Sequence, residues 1–150
     1  MRTIFDKPTR EDLIERITLL NDSSSVRWGK MSVYQMVKHN SYWNGWILGK
    51  DNHTYNQSFL GKVFGQMALR KMIKDEKPFD RNIPTSSQFK VEETNGDLEA
   101  EKLKWILLTR AYESYDNPNF IHDFFGKMTR EQIGILVFKH SDHHLRQFGL

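Results

Sequence analysis

The sequence contains no cysteine, which excludes disulfides, thiolate metal ligands and a cysteine nucleophile. Any metal ion must therefore be held by histidine, carboxylate, carbonyl or water. No apolar run approaches the roughly 18 residues of a membrane span. The N-terminal MRTIFDKPTRED has no apolar signal core, so a cytoplasmic protein is expected. Charge of one sign is scarce as well: 22 Lys and Arg stand against 19 Asp and Glu, a net +3. The densest basic stretch, LRKMIK (69–74), runs straight into DEK. No basic stripe with interleaved aromatics appears, which argues against nucleic acid as a partner.

What remains is enough for one globular domain spanning 1–150. Apolar residues make up 38% and aromatics 13% of 150 residues, sufficient to bury a core. Mean hydropathy is −0.66, that of a water-soluble chain. Thr9 and Asp12 fit a helix start ahead of a face formed by Leu13, Ile14, Ile17, Leu19 and Leu20. NDSSS (21–25) breaks the pattern. Ser32 with Gln35 forms a capping box for a second helix, stopped at Gly49. Residues 50–96 are less regular, with a short helix over 59–73. A third long helix opens near Asp97 and closes before Pro118. The fourth starts at Thr129, with Gln132 completing a capping box, and runs to Phe148. Strand signals are weak. The pattern predicts an all-α four-helix bundle with a long crossover between helices two and three.

The stretch KHSDHH (139–144) places three histidines near the end of that fourth helix. At about 100° per residue, His140 and His144 project from one face and can converge on one cation. His143 falls about 60° to one side of His140 by the same geometry. It is placed either beside the site or pointing outward. A third ligand is needed for an open site of histidines, and His39, mid-way along helix two, is the best candidate. A histidine hydrogen-bonded to another helix is the plainer reading of His39. His53, in KDNHTYNQ, reads as a loop histidine. His122, before helix four, reads as a loop cap or as a lining residue that folds back over the pocket. Trp43 and Trp46 continue the His39 face as pocket walls, or else as core. Arg146 and Gln147, one turn past the ligands, are placed to meet an anionic group or simply to be solvated. Glu113 and Asp123 are weak candidates for a general base, and no catalytic residue is assigned.

Taken together, WGKMS (28–32) opening a helix with MVKHN, and HDFFGKMT (122–129) preceding KHSDHHLRQFG (139–149), resemble the DinB/YfiT-like superfamily of metalloenzymes. The similarity is greatest to a branch of unknown function and extends from about Thr9 to Gly149. It implies a four-helix bundle, often dimeric, with a divalent metal on His39, His140 and His144. Nickel, zinc and iron all suit imidazole ligands. It further implies a metal-dependent enzyme, in the manner of relatives that use a low-molecular-weight thiol as cosubstrate for S-transfer. Trp43, Trp46, His122, His143 and Gln147 are then the candidates to line the pocket for a small-molecule substrate. The aromatic segments YWNGW and FIHDFF are candidate homodimer surfaces. A helical binding or stress-response regulatory protein, its metal structural or absent, is the reading from another class.

Overall fold

The computed structural model describes residues 1–51, 54–83 and 86–150; His53 lies outside the described residues. Five α-helices are present among them: α1 (Lys7–Leu19), α2 (Val33–Ile47), α3 (Phe59–Ile73), α4 (Leu98–Ala111) and α5 (Arg130–Gln147). The expected third and fourth long helices are α4 and α5. Both capping boxes form. Ser32 Oγ accepts from the Gln35 amide while the Gln35 side chain accepts from the Ser32 amide, and Thr129 and Gln132 repeat the exchange. Each satisfies two of the amides that a helix start leaves open. Asp97 and Ser58 cap α4 and α3.

Helix α1 departs from expectation. It starts at Lys7 with Asp6 as the residue before it and no side-chain cap. Pro8 stands in the first turn, where its missing N–H costs nothing. Thr9 is inside the helix and buried, so Thr9 and Asp12 form no capping box. Leu19 is exposed, and the buried stripe is Leu13, Ile17 and Leu20.

The main contact is α2 against α4, with α1 packed on α4 and α5, and α2 and α3 each touching α5. Trp105 and Tyr112 are fully buried between these elements with Met36, Val37, Val137 and Leu145. Buried cations close helix ends. Lys102 Nζ donates to the Thr18 and Leu20 carbonyls at the end of α1, and Lys139 Nζ to Met72 and Asp75 at the end of α3. A cation at a helix C-terminus satisfies open carbonyls and opposes the dipole.

The helix expected over 59–73 is α3, of 15 residues, and the crossover from α2 to α4 also holds a 3₁₀ turn at Ser87–Phe89. One feature goes beyond the expected all-α chain. A small antiparallel hairpin, β1 (Ile121–His122) with β2 (Gly126–Lys127), precedes α5. Two residues per strand are too few to show alternation in a sequence. Trp43 and Trp46 of YWNGW are buried, as are Phe120 and Phe125 of NFIHDFF, whereas Ile121 and Phe124 are exposed. A larger exposed apolar face lies on α3, at Phe59, Leu60, Val63, Phe64 and Met67.

The hairpin docks on the opposite side of α3 through two glycines. A Cβ at Gly65 would stand 2.1 Å from the Phe124 carbonyl oxygen, a backbone atom that moves only with the hairpin. Gly to Ala within a helix ordinarily stabilises by about 1 kcal/mol. Gly65→Ala is expected to do the reverse, lowering unfolding free energy by about 1–3 kcal/mol through the clash. Denaturant melts check this, and a stabilised variant would show that the hairpin does not sit on α3.

Candidate metal centre

Helix α2 delivers one histidine and α5 two. His39 is buried near the middle of α2, and His140 and His144 stand one turn apart on α5. Their candidate ligand nitrogens all lie within 4.8 Å of one another. The His39 and His140 Nε2 atoms are 3.3 Å apart, and the His39 and His144 rings meet edge to face at 4.9 Å. No other such group of three is found among the described residues.

Hydrogen bonds to the outer nitrogens decide which tautomers are present. His39 Nδ1 is 2.9 Å from the Phe89 carbonyl oxygen, which can only accept, so Nδ1 carries the proton. The lone pair at Nε2 then faces inward. His144 Nδ1 is 3.1 Å from Gln147 Oε1. The Gln147 amide is fixed by its Nε2, which donates to the Trp28 carbonyl at 2.8 Å. His144 is therefore protonated at Nδ1 and also offers Nε2. The inward nitrogens of His39 and His144 are each backed by an outer hydrogen bond, the arrangement usual for metal-bound imidazoles.

His140 lacks such a partner. Its half-buried ring stacks on Trp43 at 3.9 Å and 15°, and its Nδ1 is buried with no hydrogen bond among the described residues. Without a cation, the contact with His39 Nε2 requires a proton on His140 Nε2, which leaves Nδ1 an orphaned acceptor. A divalent ion would take up the inward Nε2 lone pairs of all three rings, while His140 Nδ1 has no partner among the described residues in either case.

The WGKM segment has a physical role here. Gly29 has φ +87, and a Cβ there would meet Gln147 Nε2 at 2.4 Å. Only glycine lets this backbone cross the amide that holds His144. Phe89 and Trp28 contribute carbonyls, and a main-chain acceptor carries no side-chain signal. Gln147, expected as a lining residue, is instead an orienting one.

The other candidates divide. Trp43 covers His140. Trp46 packs among Phe89, Phe120 and His122, one layer outward. His122 caps its own hairpin, Nδ1 accepting from the Phe124 and Phe125 amides. His143 is half-buried, its ring 5.2 Å from that of His144, and outside the trio. Asp123 accepts from the Asn56 amide and Gln88. Glu113 is exposed and pairs with Arg10 at 3.6 Å.

Burial pushes the pKa of all three clustered histidines below the usual value, furthest for His140 and His144. Positive charge on their neighbours opposes protonation of both as well. His143 is shifted the same way by burial. An unfolded chain takes up protons on these residues near pH 6.5, before the folded chain does. Stability is then complete above that pH and falls as the pH drops through the folded values. The slope is at most about 1.4 kcal/mol per pH unit for each histidine. Chelator-treated protein is expected to melt at progressively lower temperature from pH 7 to 5.5. A flat profile would mean that these imidazoles are not buried as described.

No curated protein and no solved structure matches the chain. A family model described as "Protein of unknown function (DUF1569)" matches residues 5–149, and both helices that supply the histidines fall within the match. The chain belongs to that family.

Proposed function

We propose that the protein is a metal-dependent enzyme whose divalent ion is bound by His39, His140 and His144, and that it activates a thiol or water for transfer to a small electrophile. The observation that carries this reading is the convergence of three imidazoles, two held lone pair inward by the Phe89 carbonyl and Gln147. Nickel, zinc and iron remain the candidates. A bound divalent ion supplies Lewis acidity that lowers the pKa of a thiol or water toward neutrality. Three neutral ligands leave its charge undiminished for that purpose.

The chain's own residues bind, orient and shield. His39, His140 and His144 ligate, Phe89 and Gln147 fix the rings, and Trp43 excludes water from one face of His140. With no cysteine in the chain, the thiol must be a cosubstrate. In the transfer its proton passes to solvent and its sulfur bonds to the electrophilic carbon. The leaving group departs with the bonding pair. We further read α1, α2, α4 and α5 as the four helices of a DinB-like bundle, with α3 inserted in the crossover. The sequence segments that suggested that kinship supply the ligands and Gly29. No helix among the described residues is long and apolar enough to cross a membrane, and a cytoplasmic location fits a thiol cosubstrate.

Elemental analysis of purified protein is expected to give about one ion per chain. His39→Ala, His140→Ala and His144→Ala should each empty the site, and His143→Ala should not. Gln147→Ala should weaken metal affinity by about 10–100-fold, as losses of outer hydrogen bonds do. A filled site in His144→Ala together with an empty one in His143→Ala contradicts the assignment. Turnover of electrophiles only with added thiol supports S-transfer, turnover without it supports hydrolysis, and metal without either supports the regulatory reading.

We also propose a homodimer, formed through α3. Phe59, Leu60, Val63, Phe64 and Met67 leave on the order of 600 Å² exposed per copy, near the ~800 Å² per partner of a standard interface. The helix carries Lys62, Arg70 and Lys71 and no acid. An antiparallel crossing at Val63 and Phe64 sets the two Lys71 residues about 20 Å apart along the axis, beyond the screening length of about 8–10 Å. Light scattering is expected to give twice the 17.8 kDa of one chain, and Phe64→Glu to halve it. A single-chain mass across a dilution series rejects the dimer.

A further inference from the structure

Next to the histidine cluster lies a separate cavity of about 440 Å³, walled by Trp28, Phe79 and His143 and ringed by Arg27, Arg81 and Arg146. We infer that it binds a small organic oxyanion, a carboxylate or phosphate carried on a flat apolar body.

The charge is the first reason. Arg146 Nε meets Asp142 at 2.6 Å, but that carboxylate is shared with Arg16 at 2.9 Å, which also pairs with Asp12 at 3.4 Å. Among the described residues Arg27 and Arg81 form no ion pair. Among the described residues the Arg27 guanidinium donates only to the Gly149 carbonyl, at 3.2 Å. The Arg81 guanidinium lies 4.5 Å above the Trp28 ring. Stacked there, its N–H edge stays free to donate in a fork, the geometry that suits carboxylate and phosphate. Arginines gathered around one concavity focus a positive potential into it.

The walls are the second reason. Trp28 and Phe79 are half-buried aromatics whose rings stand 6.0 and 5.9 Å from the His143 ring. A cavity of this volume, with apolar walls and a few convergent polar groups, has the size and character of a small-molecule site. Asn82, with φ 61, lies in the turn that carries Arg81, a conformation that asparagine tolerates better than most residues.

The cavity shares its wall with the metal centre. His143 touches His144, and Trp28 supplies the carbonyl that fixes Gln147. As the anchor for a substrate's anionic end the cavity rests on the proposed metal chemistry; as an anion site it does not.

Calorimetric titration of the purified, metal-loaded protein with 2-naphthoate, 2-naphthyl phosphate and neutral 2-naphthylmethanol tests it. At least one anion is expected to bind ten times tighter than the alcohol or better, and the stronger of the two identifies the oxyanion. Arg27→Ala and Arg81→Ala, both at exposed positions, should each weaken the anion by about tenfold or more, while Arg70→Ala on α3 should not. Metal-free His140→Ala should retain binding. Retention there with no metal in the wild type would sink the metal reading and leave the anion site standing. Equal affinity for the alcohol, or unchanged binding in both arginine variants, overturns the proposal. So does loss of the anion in His140→Ala, which would place it at the histidines.

Discussion

Three imidazoles packed together, two of them buried, cannot share one small space on equal terms. Each has two nitrogens and, when neutral, one proton, so the positions of those protons govern what the cluster can do. Here two protons are drawn outward by carbonyl oxygens of Phe89 and Gln147. Two inward lone pairs result, and the third ring can donate to only one of them, whereas a cation held among the rings would take up the inward lone pair of all three. Protons are a poor choice, because burial disfavours the imidazolium in all three.

Much of the fold exists to hold that arrangement. The capping boxes at Ser32 and Thr129 set where α2 and α5 begin, and hence which turn presents His39, His140 and His144. The 3₁₀ turn at Ser87–Phe89 brings the Phe89 carbonyl across to α2. Gly29 lets the segment before α2 cross the Gln147 amide. The crossover that looked irregular in sequence therefore supplies one of the two orienting acceptors. Lys139, one residue before His140, ties the end of α3 to the same helix.

The histidine trio was legible in the sequence because side chains four apart on a helix share a face, and because both helices that carry it announce their starts through polar capping residues. The same logic failed at α1, where a first-turn proline replaced the expected cap. At Trp46 and His122 it left two readings open, since periodicity gives a face but not which neighbour covers it; the structure shows core for Trp46 and a loop cap for His122. The hairpin was invisible at two residues per strand. The carbonyls of Phe89 and Trp28 were invisible for a deeper reason: every residue has one. Gln147 and Gly29 left a trace, standing in segments singled out for other reasons, but their role depends on a contact between residues 118 positions apart. Trp43 and Trp46 of the first aromatic segment proved to be core and the second is split, Phe120 and Phe125 buried and Phe124 exposed, while the larger exposed apolar stripe lay in the stretch with the least sequence signature.

X-ray absorption at the edge of the bound metal tests the central claim most directly, because it reads the ligands rather than the loss of function. Three imidazole nitrogens should appear, at about 2.0–2.1 Å if the ion is zinc, with the remaining scatterers light atoms from water or buffer. Substituting His39 should remove one imidazole from the pattern. A spectrum dominated by carboxylate oxygen, or one that His39→Ala leaves unchanged, would contradict the claim that α2 and α5 together build the metal centre.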